Sequence, residues 1–353
     1  MSRKTVFIFG AGASKADGLP TQAELLEGYF SNNPQDNFHV ALNGYFKDFF
    51  GIVNTMSADN KWPSFEEALA MVEIAMDKEH SFGPVYAANK LKEIRDGLII
   101  SMGRAIESCQ VGAKTIHKQF LGKLFWKGHY CKEEYSFVSF NYDILLDIAL
   151  MEMLRHDIYS DYGIQFANSR DNFDSPSFNK WKPPGDKSVL ILKPHGSLNW
   201  MQCASCDSIA ISGNAKGQIF RTGLLHTIEH CPNDNSPMQF VVEPPSYFKR
   251  YKNFYLQATW LKLHETLAKA DKIVFIGYSM PDADIMIKYA FKRACFGQNK
   301  EIVVVDPDET VKERYERVLG QITFHKMGFA DLLKPENYKK IIKDNATGTS
   351  GTT

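Results

Sequence analysis

The chain has 353 residues, 44% of them hydrophobic and 23% charged, enough to bury one large α/β core with an insertion, or two domains. Lysine plus arginine equals aspartate plus glutamate at 41 each, so no basic excess is left to grip a nucleic-acid backbone, and a nucleic-acid role would need a partner. Six cysteines are too sparse for a disulfide scaffold, and no run approaches transmembrane length, so a cytoplasmic chain is expected.

Thr5-Val-Phe-Ile-Phe9 reads as a buried parallel strand. Arg3-Lys4 before it imitates a secretory signal, but the small residues that follow form a Gly-rich loop rather than a cleavage region. That loop is Gly10, Ala11, Gly12, Ala13 and Ser14, and a helix is predicted from near Lys15 with Ser14 as its N-cap. A loop without side-chain bulk lets a pyrophosphate reach backbone N–H groups at the positive end of a helix. The same residues would also serve a tight strand-to-helix turn without a ligand.

Gly18-Leu-Pro20 breaks the chain, and Thr21 is placed to cap a helix from Gln22 to Phe30 with Glu24 in its first turn. From 31 to 125 the pattern is helical and reads as an insertion. Ser64-Phe-Glu-Glu67 is a capping box, and Phe65, Leu69, Val72 and Met76 recur at helical spacing. Such an insertion covers a site or forms an oligomer contact.

Strand pattern resumes at Tyr135–Phe140 and ends in Asn141-Tyr-Asp143, ahead of a helix from Ile144 to Leu154. After a mixed loop over 159–187, Ser188–Lys193 gives a third strand, ending in Pro194-His-Gly-Ser-Leu-Asn-Trp200. A fourth, Lys272–Ile276, ends in Gly277-Tyr-Ser-Met-Pro-Asp-Ala-Asp284 before a helix from Ile285 to Cys295. A fifth, Glu301–Val305, ends in Asp306-Pro-Asp308, and Ile322–His325 is a sixth. The tail at 345–353 is expected to be disordered. Strands followed by helices predict a doubly wound, Rossmann-like parallel sheet over 1–30 and 126–344, interrupted by the helical insertion and by a small cysteine module at 200–240.

Polar groups at the C-terminal ends of parallel strands face the crevice where α/β proteins bind ligands. His195 can accept a proton near neutral pH, or it can be a core histidine bonded to backbone. Asn141 can hold a water or a ribose hydroxyl; Asp143 can stabilise developing positive charge or merely cap the next helix. Gly277 and Ser279 would meet phosphate or ribose, and Asp306 stands where an acidic residue receives ribose hydroxyls; Asp282 and Asp284 are as suited to capping. A Gly-Lys-Ser/Thr phosphate loop, a Gly-x-Ser-x-Gly elbow and a His-Glu-x-x-His pair are all missing, which leaves kinase, serine-hydrolase and metalloprotease readings unsupported. Cys203, Cys206 and Cys231 form three corners of a zinc ribbon that Asp234 or His230 would have to complete.

Together, the Gly10–Ser14 loop, Phe140-Asn-Tyr-Asp143, His195-Gly196, the cysteine module and Gly277-Tyr-Ser-Met-Pro-Asp282 resemble the sirtuin family in order and spacing over nearly the whole chain. The likeness is greatest to the sirtuin-like NAD hydrolases of bacterial anti-phage defence. It implies that Gly10–Ser14 hold the pyrophosphate of NAD+, that Asn141 with Asp143 lie beside the nicotinamide ribose, and that His195 is base to a ribose hydroxyl. Two departures weigh against peptide deacylation. Gly18-Leu-Pro-Thr-Gln-Ala23 lacks the Phe and Arg of the deacylase cofactor loop, and the module has three cysteines where deacylases have four. The expected activity is therefore NAD+ hydrolysis, with deacylation or ADP-ribosyl transfer, or nucleotide sensing without turnover, as alternatives. The same resemblance implies a homo-oligomer and a HerA-type ATPase partner, with an Argonaute-type protein second.

Overall fold

Seven residues, Arg3–Phe9, form β1, and both faces of this strand are covered. Phe7 and Phe9 enter one apolar cluster while Val6 and Ile8 enter another, the period of two that a strand imposes. The computed structural model describes residues 3–32, 37–57, 59–109, 115–125, 133–153, 159–167, 188–211, 230–231, 233–243, 253–282 and 284–343. The expected tail at 345–353, the middle of the cysteine module and the last part of the mixed loop lie outside them.

After β1 come the short α1 (Ala11–Lys15), then α2 (Leu25–Ser31), α3 (His39–Phe50), α4 (Phe65–Asp77), α5 (Ala88–Ser108) and α6 (Ile116–Leu124). The chain continues through β2 (Glu133–Ser139), α7 (Leu145–Met153), β3 (Tyr159–Asp161), β4 (Ser188–Leu192), β5 (Gly196–Cys203), β6 (Ile209–Ile211) and β7 (Met238–Val242). It closes with α8 (Phe254–Lys269), β8 (Lys272–Ile276), α9 (Ile285–Cys295), β9 (Glu301–Asp306), α10 (Val311–Leu319) and β10 (Thr323–Lys326), followed by short helical turns to Lys343. None of the helices among the described residues is long and apolar enough to cross a membrane.

Seven strands pair in parallel in the order β10-β9-β8-β1-β2-β4-β3. Helices α8, α9 and α10 cover one face through Leu263, Phe291 and Tyr315, and α6 and α7 cover the other through Phe120 and Leu150. This is the doubly wound sheet that the strand–helix alternation predicts. A second, antiparallel sheet, β6-β5-β7, was not foreseen. Its central strand holds Gly196-Ser-Leu-Asn-Trp200, expected from sequence as the polar end of the third strand. Ser197 and Asn199 are both buried, and the Ser197 hydroxyl donates to Asn199 Oδ1 at 2.6 Å, which pairs that hydroxyl with that oxygen.

Helices α2 to α5 build their own apolar cluster around Phe30, Phe46, Phe65 and Leu98, and it reaches Leu198 and Met201 on β5 and Tyr142 after β2. Helix α6 belongs instead to the core under the parallel sheet. The Thr21 N–H and hydroxyl both donate to Glu24 Oε2 at 2.8 Å, closing a separate turn, so α2 starts at Leu25 rather than at Gln22.

Candidate active site

The chain places β2 on one side of β1 and β8 on the other, so the C-terminal ends of β1 and β8 form a topological switch point. Two glycine-bearing loops touch there. Gly277 has φ +59°, and a Cβ on it would lie 2.3 Å from Ala13 N; a Cβ on Gly10 would lie 2.5 Å from Tyr278 Cα. Gly12 N–H donates to Gly277 O at 2.9 Å and Ala13 N–H to Gly10 O at 3.0 Å. Two amides expected to meet a phosphate are thus bonded within the protein, and the loop's contribution is a floor without side chains.

Ser14 also differs from expectation. Helix α1 begins at Ala11 with Gly10 as an N-cap that offers no side chain, and Ser14 sits inside the helix. Its buried hydroxyl donates to Asp143 Oδ2 at 2.7 Å and accepts from Asn141 Nδ2 at 2.8 Å. Asn141 Nδ2 also donates to Gly10 O at 2.8 Å. Asp143 Oδ1 accepts from Leu145 N–H at 3.0 Å, which is the capping alternative for this residue, while its other oxygen serves Ser14. Three residues from two strand ends therefore share one network.

His195 follows β4 through Lys193 and Pro194. The Lys193 ammonium is fully buried, donating to Asp143 O at 2.6 Å and pairing with Asp147 at 3.0 Å; the Trp260 indole N–H donates to Pro194 O at 3.1 Å. Gly196, at φ +78°, then turns the chain into β5 so closely that a Cβ would meet Val241 O at 1.9 Å. These anchors hold the imidazole 2% exposed among Phe140, Tyr142 and Trp260. Its Nε2 lies 4.0 Å from Asp284 Oδ1, and Asp284 Oδ2 accepts from Tyr278 OH at 2.6 Å.

Gly10, Ala11, Gly12, Asn141, His195, Gly277, Ser279 and Asp306 all line one cavity of about 290 Å³. That is near the lower end of the roughly 300–1,000 Å³ typical of small-molecule sites. Ser14 and Asp143 line a smaller neighbouring cavity of about 30 Å³, and Asn141 borders both; Ala13 is buried behind the loop. Burial above all, with Asp308 adding to it, raises the Asp306 carboxyl above the usual range, while Asp308 N–H donates to Asp306 Oδ1 at 2.9 Å. Among the other residues of the cavity walls, Gln22 and Tyr278 had no site role assigned from sequence, and Asp284 was weighed there as a helix cap. Asp282 and Asp284 carry the same local signal. Asp282 is exposed and held by Lys288 at 2.8 Å, whereas Asp284 turns inward.

Away from this crevice, the ligand atoms of Cys203, Cys206, Cys231 and Asp234 lie within 4.8 Å of one another. Cys206 Sγ and Cys231 Sγ are 3.5 Å apart, and Cys203 Sγ and Asp234 Oδ1 are also 3.5 Å apart. Three thiolates and a carboxylate at such spacing suit a tetrahedral zinc ion. Ser205 and Cys206 N–H both donate to Cys203 Sγ, the kind of bond that steadies a thiolate. A hydrogen bond from Ser208 lowers the Cys206 thiol to about 7, burial pushes Cys231 up to about 12, and the Ser236 N–H holds Asp234 at about 2. Of the two candidates for the fourth corner, Asp234 is the one brought to the cluster.

No curated protein matches this sequence. Solved structures of similar architecture include a Sir2 with p53 peptide and NAD+, at 14% identity over 96% of this chain and 93% of that one, with a TM-score of 0.43. Another, described as the structural basis for the mechanism and regulation of Sir2 enzymes, shows 13% identity over 96% and 92% of the two chains, with a TM-score of 0.47. The family model of the SIR2-like domain matches residues 135–325, a span that holds Asn141, His195, the cysteine cluster, Gly277 and Asp306 and makes up more than half of the sequence. This chain belongs to the SIR2-like domain family.

Proposed function

We propose that this chain is an NAD+ hydrolase, adding water across the nicotinamide–ribose bond to give nicotinamide, ADP-ribose and a proton. The observation that carries this reading is the meeting of Asn141 and His195 on the wall of one cavity above the side-chain-free floor of Gly10, Gly12 and Gly277. Nicotinamide leaves neutral, and its positive charge passes to the ribose in an oxocarbenium-like transition state. Asn141 uses its N–H₂ on Gly10 and Ser14, which leaves Oδ1 to accept from a water or a ribose hydroxyl. His195, within an aromatic wall, takes a proton from that hydroxyl or water. Asp143 supports the cationic sugar through the Ser14–Asn141 network, and Asp306 receives a ribose hydroxyl at the far end.

Acting by NAD+ depletion, such an enzyme would serve as an effector of bacterial anti-phage defence, held quiet until a trigger arrives. A homo-oligomer partnered by a HerA-type ATPase is the favoured assembly, with an Argonaute-type partner second.

One observation favours a second reading, NAD-dependent deacylation or ADP-ribosyl transfer. Asp234 stands where a fourth donor to the three cysteines would, so a zinc module completed by it would be able to shape an acyl-peptide site.

The deciding experiment is nicotinamide release from NAD+ by purified protein, with and without acylated peptide and a candidate ATPase, beside Asn141→Ala and His195→Ala. Release without peptide that both substitutions abolish supports hydrolysis. Release only with peptide gives the second reading, and tight NAD+ binding without release in any condition leaves a nucleotide sensor.

A further inference from the structure

Asp284 stands at the N-cap of α9, yet its side chain makes no capping bond. The carboxylate is instead turned into the crevice, 5% exposed, with Oδ2 accepting from Tyr278 OH at 2.6 Å and Oδ1 at 4.0 Å from His195 Nε2. Tyr278 is itself fixed: its ring lies 4.8 Å from that of Phe140, and its carbonyl accepts from Tyr315 OH at 2.5 Å. A buried carboxylate 4.0 Å from an imidazole favours the charged form of the ring that faces it.

We propose that Asp284, steered by Tyr278, is the positioning residue for His195, holding the imidazole toward the cavity and stabilising the imidazolium that forms when His195 takes a proton. At 4.0 Å the contact is electrostatic rather than a hydrogen bond, and it favours the charged ring whichever nitrogen accepts the proton. The groups facing this pair are Tyr278 from the loop after β8, Tyr142 after β2 and Glu66 on α4; Tyr142 in turn feels the charges of Glu73 on α4 and Glu243 after β7. Glu73 is matched by Arg95 of α5 at 2.6 Å. Burial, reinforced by the negative charge of Asp284, raises the Glu66 carboxyl to about 8, so at neutral pH it holds its proton.

This role rests on the reading of His195 as a base, and its test is kept separate from turnover. The His195 ring is titrated by NMR in the full chain for the wild type, Asp284→Asn and Tyr278→Phe, alongside pH profiles of nicotinamide release. In Asp284→Asn the His195 midpoint should fall by half a unit or more, and the acid limb of kcat/KM should move down with it while kcat drops at least tenfold. Tyr278→Phe keeps the carboxylate, so its midpoint should stay above that of Asp284→Asn. If no variant or wild type releases nicotinamide with or without the candidate ATPase, the hydrolase reading fails while the titration still decides the pairing. A His195 midpoint that is the same in folded Asp284→Asn and wild type overturns the proposal, as does a Tyr278→Phe midpoint equal to or below that of Asp284→Asn.

Discussion

The Asn141 amide donates to the Gly10 carbonyl at 2.8 Å, so a side chain at the end of β2 holds the loop that leaves β1. Removing it affects both structure and chemistry. Asn141→Ala leaves the Gly10 carbonyl and the Ser14 hydroxyl short of a donor and should cost about 1–3 kcal/mol in urea unfolding. Nicotinamide release should fall at least a hundredfold. Asn141→Asp, which replaces the donor with a negative charge beside Asp143, should be less stable than Asn141→Ala; the reverse order would show that the amide is not donating here.

Gly277 admits no side chain, because a Cβ would sit 2.3 Å from Ala13 N and its φ is +59°. Gly277→Ala should lose about 2 kcal/mol or more, since the obstruction is backbone and φ is already costly for alanine. Calorimetric titration with ADP-ribose should show affinity weakened at least tenfold. A variant with native stability and affinity would contradict the close contact between the two loops.

Lys193 and Asp147 are buried together, 0% and 1% exposed. Lys193→Ala strands the Asp147 carboxylate, leaving Tyr162 OH, at 2.7 Å, as its side-chain donor among the described residues, and should cost about 3–5 kcal/mol. Lys193→Met combined with Asp147→Leu should recover part of that loss, because the charges are replaced by apolar groups while the Asp143 carbonyl and Tyr162 hydroxyl lose these partners. If the double variant is as unstable as Lys193→Ala, the loss comes from packing around β4 rather than from an orphaned charge.

Glu66 gives a pH dependence with a defined sign. Burial, with Asp284 adding to it, raises its carboxyl from 4.5 to about 8, so between these values the folded state binds more protons than the unfolded one. Stability from this group is therefore lost as pH rises from about 4.5 to about 8. Glu66→Gln keeps the shape without the ionisation, and its advantage over wild type should grow through this window to a few kcal/mol, at about 1.4 kcal/mol per unit. Thermal melts at pH 5 and pH 8 measure it, and an advantage that shrinks with pH would refute it.

The cysteine cluster predicts one zinc per chain by elemental analysis and none in Cys203→Ser. Asp234→Ala should retain zinc more weakly, losing it to a chelator that leaves the wild type loaded. Metal removal should loosen the β5-β6-β7 sheet, which carries Cys203, and lower the melting temperature. Zinc retention by Asp234→Ala equal to wild type would return the fourth corner to His230 or to solvent.

Much of the fold was legible because parallel strands buried on both faces leave a continuous apolar signature. β1, β2, β4, β8 and β9 could be read to within one or two residues for that reason, and each ends in the polar or small residues that line the crevice. β5 escaped because it buries the polar Ser197 and Asn199, whose side chains bond along the strand, a pairing that no hydrophobic pattern records.

Local sequence determined which elements form and which residues stand at their ends, since propensity and burial periodicity are properties of neighbours in the chain. It placed Asn141, His195 and the glycine loop at strand ends before any fold was known. Only the tertiary structure decided which way equivalent residues turn. Asp282 and Asp284 are two residues apart with the same capping chemistry, and the inward path of the Gly277–Met280 turn, where Met280 takes φ +51°, brings one to His195 and leaves the other with Lys288. Likewise, Asp234 rather than His230 reaches the cysteines, and Ser14 meets Asn141 and Asp143 instead of capping a helix. Those outcomes depend on contacts across as many as 129 positions of sequence, where the geometry of the sheet, not the preference of a residue, sets the partner.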